Sequence, residues 1–166
     1  MATYLTIPIQ NSPTVAVEAA AEIDDVRGKA IRFDANGKGV LATDPSKGAL
    51  GIAILSTGDQ NRLDGKDGHV DAGQQIDVQV NGQGYALVSA EVKAGDALTV
   101  DGNGCFVTAS AGNFVVATAL RPAAANTYAY VQVTMYCGAA AATTYAAAIT
   151  GPDTKTGETT TGGSKQ

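Results

Sequence analysis

The sequence predicts an all-β domain: a compact β-barrel or sandwich built from two related strand-turn-strand units, with an extended N-terminal arm and C-terminal tail. Three observations predict it. A ten-residue phrase occurs twice, as "GKAIRFDANG" at 28–37 and "GDALTVDGNG" at 95–104, 67 positions on. Apolar and polar residues alternate with period two in several runs, the mark of a half-buried strand. Glycine is abundant, at 20 of 166 residues, and punctuates the short apolar runs.

The element order starts with an arm. Residues 1–26 read as an N-terminal arm and lead-in, 27–138 as the β-barrel-like domain, and 139–166 as an Ala/Thr/Gly-rich tail. "TYLTIPI" is extended, and Pro8 cannot donate to a ladder, so it suits an edge or free segment. "SPTVAVEAAAEID" allows one helical turn, with mixed propensities.

In "AIRFD", Ile31 and Phe33 are expected on one face, with Arg32 and Asp34 on the other. In "ALTVD", Leu98 and Val100 match them in phase, and Thr99 and Asp101 point away. "DANG" and "DGNG" then supply turns, because Asn-Gly tolerates positive φ. The copies continue: "GVLATDPSKGALGIAIL" corresponds to "CFVTASAGNFVVATAL". Two such units are too few for a solenoid, so one closed domain is expected.

Between them, "QIDVQVNGQGYALV" reads as a hairpin about Asn81-Gly82, with Ile76, Val78 and Val80 sharing a face. "YAYVQVTMYCG" is the cleanest strand: Ala129, Val131, Val133, Met135 and Cys137 form its core face. Tyr128, Tyr130, Gln132, Thr134 and Tyr136 line the other. Stacked tyrosines suit a contact surface or cross-strand packing on a wet sheet, and the sequence leaves both open. The tail is too poor in bulky residues to fold alone, so a neighbouring subunit is its simplest holder.

Composition narrows the function. The chain is long enough for one domain with a real core, and without Trp that core rests on Val, Ile, Leu and Ala. Net charge is −5 with no run of Lys or Arg, which argues against nucleic acid and against an anionic membrane. The N-terminus lacks a basic segment followed by an apolar one, so synthesis in a cytoplasm without a secretory signal is expected. Spacing does not decide whether Cys105 and Cys137 pair; a cytoplasmic chain needs no disulfide, so reduced, half-buried thiols are expected.

No catalytic motif emerges. "NGQGYAL" lacks the third glycine and following helix of a dinucleotide site. The acidic loop 59–73 gathers Asp64, Asp67, His69 and Asp71, weak candidates for a hard cation, but its spacing is not that of an EF-hand. A solvated Gly/Asp loop explains it as well. There is no Gly-x-Ser-x-Gly elbow, and the single histidine would have to serve any nucleophile. The expectation is a protein without enzymatic activity, cofactor or resident metal.

The order "G-x-A-[IL]-x-[FV]-D-x-N-G", "GIAI", "VKAGDALTVDGNG" and "VVATAL", then a Val-rich strand, resembles the capsid cement, or head decoration, proteins of tailed bacteriophages. That family was formerly a domain of unknown function. The likeness spans residues 28–137, and Val115-Val116-Ala117 stands at the second Gly-Val-Ala position. The resemblance implies a β-barrel-like subunit, often trimeric, that sits on the outer capsid face. It would bind the major capsid protein and bridge neighbouring capsid subunits in the virion. Expected interface residues are Tyr4, Leu5, Ile7 and Ile9 of the arm, Tyr128, Tyr130 and Tyr136 of the last strand, and Tyr145 and Ile149 of the tail. The alternative is a head-fibre base or a host-glycan-binding display module, using the tyrosine face as a sugar platform.

Overall fold

A computed structural model describes residues 13–58 and 66–137, with backbone alone for 136 and 137. All its elements are strands. They are β1 (Thr14–Glu18), β2 (Ala30–Phe33), β3 (Gly39–Leu41), β4 (Gly51–Ala53), β5 (Gln75–Gln79), β6 (Gly82–Val88), β7 (Ala97–Val100), β8 (Phe106–Thr108), β9 (Phe114–Ala119) and β10 (Thr127–Cys137). The first five form a sheet in the order β1-β5-β4-β2-β3, and the last five a closed barrel in the order β10-β6-β8-β7-β9. The two pack as a sandwich-like all-β fold, as expected from the sequence.

The halves share one topology. In the barrel, β6-β10-β9-β7-β8 are joined by antiparallel pairs, and Val88 with Phe106 closes the ring in parallel. In the sheet, β1-β5-β4-β2-β3 are joined the same way, and a parallel bridge from Ala19 to Gly39 brings the two edges together. Ala20 N–H donates to Gly39 at 2.9 Å where Ser89 N–H donates to Phe106 at 3.0 Å. The duplication therefore covers five strands on each side.

The aspartate of each copy of the phrase accepts the same two backbone N–H groups. Asp34 accepts the backbone N–H of Asn36 and Lys38, each at 2.8 Å. Asp101 accepts those of Asn103 and Cys105, at 2.8 and 2.9 Å. The left-handed residue of each turn is its glycine, Gly37 at φ 77° and Gly104 at φ 75°.

Two cores result. Val17, Ala19, Val26, Ile31, Val70, Ile76 and Val78 fill the sheet half. Val88, Leu98, Val100, Phe106, Val116, Ala129 and Val131 fill the barrel, and Ala30, Ala42 and Ile52 of the sheet half join that cluster. β2 and β4 are thus covered on both faces. Ala30 N–H also donates to Gly104 and Leu87 N–H to Gly28, both at 2.8 Å, which stitches the halves together.

Several expectations are corrected. "TVAVE" forms β1 paired with β5, with no helical turn, because its β-branched residues alternate along a ladder. The boundary at 26/27 is no structural boundary, since β1, Ala19 and Val26 belong to the first half. β5 and β6 form no hairpin: β5 pairs with β1 and β4, and β6 with β10 and β8. The Asn81-Gly82 turn exists, with Gly82 at φ 83°, but it passes the chain from one half to the other.

Phe33 is 46% exposed although Ile31 is buried, because it ends β2 opposite Gly39, which has no side chain to cover it. Thr99 is buried rather than outward, since β7 is covered on both faces. Met135 leaves the core face because the register shifts between Val133 and Tyr136. Gly51-Ile52-Ala53 matches Ala117-Thr118-Ala119 rather than Val115-Val116-Ala117: Gly51 and Ile52 pair with Ile31 and Ala30 where Ala117 and Thr118 pair with Leu98 and Ala97. The arm residues Tyr4, Leu5, Ile7 and Ile9, the tail residues Tyr145 and Ile149, and the side chains of Tyr136 and Cys137 lie outside the described part. Cys105 carries a free, half-buried thiol whose pKa burial pushes up.

Candidate functional site

The outer face of the barrel carries a cleft of about 450 Å³ lined by Tyr85, Arg121, Pro122, Tyr128 and Tyr130. Its construction follows from register. Tyr85 on β6 lies directly opposite Tyr130 on β10, so the two rings meet, with centroids 5.5 Å apart and planes tilted by 49°. Period two then puts Tyr128 on the same face. Arg121, just after β9, lays its guanidinium over the Tyr130 ring, 5.6 Å from the centroid. The Tyr130 hydroxyl donates to the Gln83 side-chain oxygen, which fixes that ring.

Tyr128 is seated on the other half. Its ring covers Gly28, where an added Cβ would stand 2.9 Å from Cε1. Burial pushes its hydroxyl pKa up, opposed by the nearby charge of Arg27. Arg27 is held by Asp25 through two bonds of 2.9 Å. Tyr85 is 50% exposed and Tyr128 is 40% exposed, so large ring faces remain open.

The same place in the first half is furnished differently. Asp77 pairs with Ala16 where Tyr130 pairs with Tyr85, and Gln75 stands where Tyr128 does. A cleft of about 470 Å³ lies there, lined by Gly58, His69, Asp71, Gln74 and Gln75. Glu22, Asp24 and His69 bring ligand-type atoms within 4.8 Å of one another. The His69 Nε2 lies 3.2 Å from Asp71 and 3.7 Å from Glu22, so the ring already has neighbours.

Of the four acidic-loop candidates, His69 and Asp71 come together. Asp67 turns to Arg27 at 3.7 Å, and Asp64 lies outside the described part. Glu22 and Asp24, far away in sequence, take their places beside His69 because Ile23 pairs with Val70. Such a set can neutralise a cation, and its nearest anionic neighbours also satisfy the imidazole without one.

Tyr128 and Tyr130 are the sequence-expected residues the structure does place on one open face. Tyr85, Arg121 and Gln83 were missed. The signal for Tyr85 was its outward phase in "GYALV", but its partner depends on the β6-β10 register, which no local pattern carries. Gln132 and Thr134 on the same face turn to Gly82 and Thr118 instead.

The fold and cleft define an all-β domain with an open aromatic face. No protein-family model matches the chain, and no curated protein matches it. Among solved structures it is similar to the N base of the head fibre protein gp8.5 of bacteriophage phi29. The TM-score is 0.51 at 14% identity, covering 73% of this chain and 92% of that one. The likeness is one of fold. Among the described residues, no helix is long and apolar enough to cross a membrane.

Proposed function

We propose that this chain is a virion structural protein of a tailed bacteriophage. It binds the outer surface of the capsid and stabilises the shell by bridging major capsid subunits. The observation that carries this is the fold it shares with a phage head fibre base along nearly all of that base. The resemblance of residues 28–137 to phage capsid cement proteins, chiefly in "VKAGDALTVDGNG" and "VVATAL", supports the same class of protein from the sequence side.

On this reading the interlocked halves act as a rigid clamp, and chemistry is not its task. Its partners are the major capsid protein and copies of itself, most simply as a trimer, with neither nucleic acid nor membrane involved. The host cytoplasm is where it is made. The arm around Tyr4 to Ile9 and the tail from Ala139 reach neighbours, adding strands to them. A clamp that binds the assembled shell and not loose subunits shifts the equilibrium toward the shell. Many copies on one lattice multiply modest contacts.

A second reading has a specific observation in its favour: the similar solved domain is the base of a head fibre. In that case the domain anchors to the head but does not need to strengthen it. Co-sedimentation with heads lacking the protein tests both. Saturable binding with raised heat resistance supports the clamp. Binding without added resistance supports the fibre base, and no binding contradicts both. Deleting residues 1–12 or 139–166 should leave a folded domain that binds heads more weakly.

A further inference from the structure

We propose that the tyrosine cleft binds a carbohydrate unit that bears a carboxylate, with Tyr85 and Tyr128 as stacking faces and Arg121 as the carboxylate partner. The reading is separate from capsid docking and is testable on the free protein.

The aromatic set is not demanded by the fold. The first half has the same strand order, with Ala16, Gln75 and Asp77 at the positions of Tyr85, Tyr128 and Tyr130. It forms its strands without a ring at any of the three. The barrel's rings are also poorly used as core, since Tyr85 is half exposed and Tyr128 nearly so. A tyrosine offers an apolar face for the C–H side of a sugar ring and a polar tip for its hydroxyls. The cleft volume of about 450 Å³ accommodates one or two sugar units.

Arg121 sets the charge of the ligand. Its guanidinium is oriented by the Tyr130 ring, and among the described residues it makes no ion pair. A planar fork of donors matches a carboxylate. It is the sole cation lining the cleft among the described residues, and the chain is acidic overall. One carboxylate per bound unit is therefore favoured over a polyanion. An extended peptide fits less well. At Tyr130, β10 is flanked on both sides, by Tyr85 of β6 and by the Leu120 N–H, so an added strand has no free edge there.

The test uses the full chain and titration calorimetry. The probes are trisaccharides ending in glucuronate, galacturonate or sialic acid, their neutral counterparts, and an acidic peptide of similar size. At least one carboxylated sugar should bind, and Arg121→Gln should weaken it tenfold or more. Tyr85→Ala should weaken it about fivefold or more, with Tyr85→Leu as the substitute if the alanine variant fails to fold. The proposal is overturned if none of the three acidic sugars binds, if neutral sugars bind equally well, or if only the peptide binds. Because heads are absent, failure here leaves the capsid-docking result untouched, and the reverse also holds.

Discussion

Gln79 and Gln132 both donate their side-chain amides to backbone carbonyls where the chain passes from β5 into β6. Gln79 Nε2 reaches the carbonyls of Asn81 at 3.1 Å and Gln83 at 2.6 Å, and Gln132 Nε2 reaches that of Gly82 at 3.0 Å. Each is the middle of a "VQV" triplet, and the triplets occupy matching positions in β5 and β10. The duplicated glutamine is thus used in both halves to bond the backbone where the chain passes from β5 into β6.

Gln79→Leu should therefore destabilise the domain by about 2 kcal/mol, since Gln79 is buried and its acceptors lose their donor. Gln132→Leu should cost less, about 1 kcal/mol, because Gln132 is half-buried and water can replace it. Urea unfolding of both variants decides the order.

The two aspartate turns should differ in weight. Asp101 also accepts the Ser89 hydroxyl at 2.7 Å, tying the β7–β8 turn to the end of β6, whereas Asp34 bonds only within its own turn and to the adjacent chain. Asp101→Ala should cost about 2 kcal/mol and Asp34→Ala clearly less. Equal losses would show that the link to Ser89 adds nothing.

Gly51 marks where the duplicated scaffold cannot be symmetric. An added Cβ would lie 2.1 Å from the Gln79 carbonyl oxygen, a clash that needs backbone movement. Its counterpart in the barrel, the buried Ala117, carries a Cβ at that position. Gly51→Ala should lose about 3 kcal/mol or more, while Ala117→Gly should lose about 1 kcal/mol. Thermal melts of the pair measure the contrast.

Acid should weaken the domain between about pH 4 and pH 2. The side-chain and backbone bonds from Ser46, then the Lys47 contact, lower Asp44 from 3.8 to about 2. Backbone bonds from Lys38 and Asn36 lower Asp34 despite some desolvation. Burial pushes Asp25 up, but the Arg27 bonds and charge outweigh it and leave it lowered. A carboxyl depressed in the folded state contributes fully above its unfolded value and loses that contribution as pH falls through its folded value. Urea midpoints at pH 5, 3.5 and 2 should fall in that order, and Asp44→Asn should flatten the decline.

Much of this was legible in the chain. The repeated phrase gave both aspartate turns, and the alternation of "QIDVQV" and "YAYVQV" gave the buried faces of β5 and β10 up to the bulge. What could not be read was partner choice. Asn81-Gly82 has hairpin chemistry, yet the strands on its two sides pair with other partners in different halves, a choice that no periodicity encodes. The tyrosine face was visible, but its third ring and its cation come from β6 and the β9–β10 connection, placed there by register alone. The second "VQV", 53 positions after the first, was the overlooked sign that the duplication runs through all ten strands.

The central claim is that this domain belongs on the outside of a phage head. Electron cryomicroscopy of heads lacking the protein, imaged before and after incubation with it, tests that most directly. The claim requires new density on the outer surface, at fixed lattice positions between major capsid subunits, into which the ten-stranded domain fits. Heads that stay bare at saturating protein would contradict it.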